Sequence, residues 1–249
     1  MRPLPTSSQA RNLRRQSIYL LPNSFTLAAL FAGFYAVVQA MNRNFEPAAV
    51  AIFIAMVLDG MDGRVARMTH TQSAFGAEFD SLSDMVSFGV APALVVYEWM
   101  LRDFGKLGWI VAFIYCAAAA LRLARFNTNI DVVDKRFFQG MPSPTAAALV
   151  AGLVWVSLEM GWSGDVLRIG ALVMTAFAGL TMVSNVKFYS FKEINVRKTV
   201  PFAVLLPILF VLVAIAAKPP VALFSLFVAY GLSGYIWTIW HWLRQQKKA

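Results

Sequence analysis

Four aspartates and a glutamate, Asp59, Asp62, Glu78, Asp80 and Asp84, fall within 26 residues of a chain whose apolar stretches otherwise hold almost no acids. Asp59 and Asp62 are three apart and Asp80 and Asp84 four apart, so on helices each pair shares a face. The connection Thr69-His70-Thr71-Gln72 is centred near residue 71. Asp62 and Asp80 each lie about 13 Å from that centre along a helix, and Asp59 and Asp84 about 18–20 Å. An antiparallel hairpin would bring the four carboxylates to two matching levels. Such a concentration of negative charge calls for cations. Carboxylate oxygens without Cys or His suit Mg²⁺ or Mn²⁺ rather than zinc. Gly60, Gly63, Ala66, Gly76 and Ala77 leave room beside them for a bulky ligand, and Arg67, one turn beyond Gly63, could meet a phosphate bidentately. Two metals and a phosphate ester are the chemistry this reads as. The alternatives are acids at water-exposed helix ends or paired with Arg64 and Arg67, and glycines serving close helix packing.

The elements that must position these groups are set by composition. Of 249 residues, 59% are hydrophobic and 14% charged, against about 45–50% and about 25% in ordinary soluble domains. Disorder is excluded by the same figures. A single cysteine, Cys116, excludes a disulfide framework and a multi-cysteine metal site. Apolar runs of membrane-spanning length lie near 18–41, 46–68, 73–101, 107–126, 142–160, 165–184, 199–217 and 221–241, eight in all. They are solid in Leu, Ala, Val and Phe, without the alternation of an outer-membrane barrel. The expectation is an all-α integral membrane protein with about eight transmembrane helices.

Basic residues set its orientation, because basic loops stay cytoplasmic. With this threading, 17 of the 22 Lys and Arg fall on one side, including Arg2, Arg11, Arg14 and Arg15 before the first span and Arg244, Lys247 and Lys248 after the last. Both termini are therefore expected in the cytoplasm. The net charge of +9 is dispersed at helix ends, where it meets anionic headgroups, and no nucleic-acid partner is expected. Residues 1–17 read as a basic interfacial segment ahead of an uncleaved anchor, since the following run exceeds a signal core. Most of the tryptophans (Trp99, Trp109, Trp162, Trp237, Trp240 and Trp242) stand near span ends, as aromatic belts do. His70 and His241 read as interfacial, and Glu78 as paired with a basic neighbour.

The run Asp59-Gly60-Met61-Asp62-Gly63-Arg64-Val65-Ala66-Arg67, followed by Gly76, Asp80 and Asp84, resembles the signature of the CDP-alcohol phosphotransferases, with eight fixed positions over 26 residues. Phe79 to Ala93, Arg122-Leu123-Ala124-Arg125-Phe126-Asn127-Thr128, Phe138-Gln139-Gly140-Met141-Pro142-Ser143-Pro144 and Leu21 to Thr26 are similar to one branch, the CDP-diacylglycerol–serine O-phosphatidyltransferases. Ala29 departs from it, standing where many relatives carry a second Asn. The resemblance covers residues 18–190 and implies a six-helix transmembrane core there, with two additional helices and a basic tail in 191–249.

What the resemblance implies is transfer of a phosphatidyl group from CDP-diacylglycerol to L-serine, releasing CMP, at a site facing the cytoplasm, on the inner membrane if the source is bacterial. Asp59, Asp62, Asp80 and in part Asp84 would hold two Mg²⁺ or Mn²⁺ ions, with Asp84 also the general base. Asn23, Gly63, Ala66, Arg67 and Gly76 would line the cytidine and phosphate side. A homodimer among membrane lipids is likewise implied. For the acceptor, whose carboxylate needs a fixed cation, Arg122 and Arg125 are the candidates, with Asn127, Ser83 and Ser87 as hydrogen-bonding neighbours. Positive-inside anchoring for the arginines and helix-face packing for the serines are the competing readings. Choline, glycerol phosphate or inositol phosphate remain alternative acceptors, and a carboxylate-based cation transporter is the alternative of another class.

Overall fold

The computed structural model describes residues 7–69, 71, 73–128, 137–190 and 202–246, and the side chains of 7–21, 202–205, 241, 242, 245 and 246 are outside the description. Its helices are α1 (Ser7–Met41), α2 (Phe45–Met68), α3 (Ala74–Asp84), α4 (Ala91–Trp99), α5 (Lys106–Thr128), α6 (Ser143–Glu159), α7 (Asp165–Val183), α8 (Phe202–Ala217) and α9 (Pro219–Gln246). Five apolar stretches, Pro22–Met41, Ala74–Trp99, Lys106–Thr128, Asp165–Val183 and Pro219–Trp240, are long and apolar enough to cross a membrane. The chain is an integral membrane protein built from helices. His70 and the basic residues Lys135, Arg136, Lys192, Arg197 and Lys198 lie outside the described residues.

Three features depart from the expected layout. Residues 7–17 do not form a separate segment: α1 runs unbroken through them and on through Pro22. The third apolar run is not one helix, because a π-helical turn, Met85–Val90, separates α3 from α4 and a 3₁₀ turn, Leu101–Phe104, follows. A short antiparallel ladder is also present, β1 (Phe137–Gln139) with β2 (Lys187–Tyr189), pairing Phe138 opposite Phe188.

Alanine decides how closely the helices approach. On the α1–α2 seam, Ala32, Ala36, Ala40, Ala48, Ala49, Ala51 and Ala55 are buried with Ile52. Small residues let two backbones come together in an environment where lipid competes with side chains for apolar contact. The central post is α6, which starts at Ser143-Pro144 and is buried on every side through Ala146, Ala147, Ala148 and Ala151. Pro fits the first turn because the N–H it lacks has no intrahelical partner there. A second core, around Tyr115, Leu101, Met141, Leu149, Met182 and Phe188, joins α5, α6 and α7. α9 lies along α6 and reaches β2, while α8, among the described residues, packs mainly on α9 and turns most of its described side chains outward.

Candidate active site

α2 and α3 barely touch, so the hairpin opens as a cleft with α1 packed along both arms. Gly60, exposed on α2, has nothing within 4 Å of where a Cβ would stand. α3 begins at Ser73, whose Oγ accepts from the Gly76 amide at 3.0 Å, a cap for one of the four unsatisfied donors of a helix start. A Cβ on Gly76 would sit 3.3 Å from Asn23 Oδ1. The glycine thus lets α3 meet α1 at the cleft's mouth, bringing together two of the residues expected on the nucleotide side. Arg67 lies along Gly63, its Nη1 3.6 Å from where a Cβ would be. Ala66 is half-buried on the same helix.

Deeper in the cleft, carboxylate oxygens of Asp59, Asp62 and Asp80 all lie within 4.8 Å of one another. Asp84 lies beside Asp59, one helical turn further in than Asp80. The expected pairing into two separate levels is only partly met: Asp80 meets both Asp59 and Asp62, and Asp84 meets Asp59. Asp80 Oδ1 and Asp84 Oδ1 are buried and, among the described residues, have no hydrogen-bond donor. A buried carboxylate oxygen with no donor is costly unless something positive meets it. The donor set is oxygen only, which fits a hard divalent cation. Among the described residues no ion pair ties these aspartates to Arg64 or Arg67, both exposed, and Glu78 is exposed outside the cluster.

Thr26 is the site residue that sequence reasoning gave no role. Its hydroxyl, buried on α1, lies 2.7 Å from Asp62 Oδ2 and donates to it. Only packing across helices makes that bond, so nothing local in the sequence marks it.

The acceptor candidates separate. Arg122, buried near the end of α5, donates to Ser143 Oγ at 2.7 Å, stands over the Phe126 ring, and projects its charge onto Asp84 and Asp59. Asn127 donates to Ser81 Oγ at 2.9 Å, tying the end of α5 to α3. Ser83 and Ser87 do not face an acceptor: both are buried and donate to α1 carbonyls, Ser83 to Thr26 at 3.1 Å and Ser87 to Ala29 at 3.0 Å. Arg125 also departs from the expectation. Its guanidinium reaches the carbonyls of Gln139, Met182, Val183 and Ser184, satisfying acceptors that the end of α7 leaves open. Ala29 is buried in the α1 packing face, under Ser87.

The family model for CDP-alcohol phosphatidyltransferases matches residues 19–183. A Helicobacter pylori protein named CDP-diacylglycerol–serine O-phosphatidyltransferase is 36% identical over 227 residues, 88% of this chain and 92% of its own. A protein of the same name from Bacillus subtilis is 34% identical over 173 residues, 70% of this chain and 92% of its own. One from Mycobacterium leprae is 39% identical over 160 residues, 62% of this chain and 53% of its own.

Proposed function

The chain belongs to the CDP-alcohol phosphatidyltransferase family, and from that premise we propose that it transfers the phosphatidyl group of CDP-diacylglycerol to the hydroxyl of L-serine, giving phosphatidylserine and CMP. The observation that carries this is the convergence of Asp59, Asp62 and Asp80 within 4.8 Å, with Asp84 adjoining, between α2 and α3. The serine acceptor rests on the names of the relatives and on a buried cation, Arg122, set next to those carboxylates.

In this reading Asp59, Asp62, Asp80 and in part Asp84 would hold divalent ions, Mg²⁺ or Mn²⁺, whose charge would offset that of the pyrophosphate and of CMP. Asn23 and Gly76 line the nucleotide side, and Arg67, beside Gly63 and Ala66, meets a phosphate. Asp84 takes the proton of the attacking serine hydroxyl, having a buried oxygen with no competing donor. Arg122 holds the serine carboxylate and Asn127 lies at the same mouth, so the hydroxyl is delivered in one orientation, from which much of the rate gain comes. Eight helices cross the inner membrane with both termini and the cleft on the cytoplasmic side, residues 18–190 form the catalytic core, and the chain works as a homodimer.

The test is CMP release by purified protein in detergent, with CDP-diacylglycerol, Mn²⁺ or Mg²⁺ and a panel of alcohols. Release that requires L-serine and is lost in Asp84→Asn is the expected result. Release with choline or glycerol phosphate in place of serine would discard the Arg122 pocket. No release with any alcohol would discard the whole reading.

A further inference from the structure

The residue after Asp84 begins the π-helical turn Met85–Val90, in which the Ala91 amide bonds the Val86 carbonyl five residues back. Such a turn inserts one residue into the helix, and each inserted residue rotates everything beyond it by about 100°. α3 can therefore aim Asp80 and Asp84 across the cleft while α4 buries Ala91, Val95 and Val96 in a packing face of its own. Two side-chain bonds hold the turn. Ser87 Oγ donates to the Ala29 carbonyl on α1. The Phe88 carbonyl would bond residue 92 in a regular helix, but Pro92 has no N–H. It receives the Tyr115 hydroxyl of α5 instead, at 3.0 Å, and Tyr115 is wholly buried.

α1 is shaped for the same contact. A Cβ on Gly33 would lie 2.7 Å from Ser87 Cα and 2.6 Å from its Oγ, so only glycine admits the turn at this depth. The turn is thus fixed from α1 and from α5, and neither bond touches the cleft itself. We propose that Tyr115, by holding the Phe88 carbonyl, keeps this turn in its π register and thereby sets the orientation of Asp84: a positioning residue for the transfer reaction. The proposal rests on the role given to Asp84 above.

The experiment uses Tyr115→Phe and the double variant Tyr115→Phe/Pro92→Ala, as full-length purified protein. Pro92→Ala restores an N–H four residues after Phe88, so the carbonyl regains a partner only by moving toward a regular helical register. Melting is followed by tryptophan fluorescence, kcat and KM by CMP release, and Mn²⁺ affinity by electron paramagnetic resonance without lipid. In Tyr115→Phe, Tm falls, kcat falls roughly ten- to hundredfold at little-changed KM, and Mn²⁺ binds more weakly, since small misplacements of reacting groups cost that much. In the double variant Tm recovers while kcat and Mn²⁺ affinity stay low. Recovery of kcat together with Tm would make Tyr115 merely structural and overturn the proposal, as would unchanged kcat in folded Tyr115→Phe. If Tyr115→Phe does not fold, the double variant decides alone, wild-type kcat there overturning the proposal. Should the wild type bind Mn²⁺ yet release no CMP with any alcohol, the proposed function fails, while the Tm and Mn²⁺ comparison still decides the role of Tyr115.

Discussion

Asp62 depends on a neighbour three dozen residues away, because the Thr26 hydroxyl donates to its Oδ2. A bond of this kind orients a ligating carboxylate, and its loss commonly costs roughly 10–100-fold in metal affinity or activity. Thr26→Val is therefore expected to weaken Mn²⁺ binding by that order, read by paramagnetic resonance titration, with Thr26→Ser close to wild type. Arg122→Gln should raise the KM for serine more than that for CDP-diacylglycerol, as steady-state CMP release would record. The aspartates were legible because helical spacing is a local property: three and four residues apart mean one face. The serines were not. Ser83 and Ser87 have the same spacing as a polar face toward substrate, and only the approach of α1 turned their hydroxyls to its carbonyls. Arg125 misled in the same way, since α7 ends against it only in three dimensions.

At the level of elements, close approach is limited by single residues, and Gly33 against Ser87 is one such case. Gly33→Val should destabilise the protein by about 1–3 kcal/mol, the usual cost of overpacking, seen as a lower Tm with activity lost in proportion. α9, beyond the span matched by the family model, lies along α6 and is also tied to α7 and β2. Tyr235 shares a 2.7 Å hydrogen bond with Thr181, Tyr230 donates to the Tyr189 carbonyl, and Gly234 would bring a Cβ within 2.5 Å of the Phe188 ring. Gly234→Leu should push β2 away and loosen the turn that leads from β1 into α6 at Ser143, the partner of Arg122, raising the serine KM. The long apolar runs were legible from hydropathy alone. The π turn was not, because its determinants, Pro92, Tyr115 and Gly33, sit on three different helices. Nor was the β1–β2 ladder, whose strands of three residues carry no periodic signal.

The whole molecule links its stability to its ligands. Four carboxylates in one cleft repel one another until cations arrive, so divalent metal should raise Tm and EDTA should lower it reversibly. At a hundredfold excess over Kd the gain is about 2.7 kcal/mol, measurable by the same fluorescence melt. The orientation can be read with single cysteines in a Cys116→Ser background: a label that cannot cross the membrane should reach residue 218, but not residue 248, from outside intact cells. One consequence concerns biogenesis. α2 has 24 residues and an apolar middle, but it carries Glu46, Asp59, Asp62, Arg64 and Arg67, charges that weigh against its crossing a membrane by itself. Its broad alanine seam is shared with α1. During synthesis α2 must therefore leave the insertion machinery leaning on α1, as a pair rather than singly. A reporter fused after Met68 should remain cytoplasmic with α1 in its native sequence, and should lose that placement when Ala32, Ala36 and Ala40 are replaced by leucine. The helix that carries two of the four clustered aspartates would then be a passenger that enters the bilayer only in company.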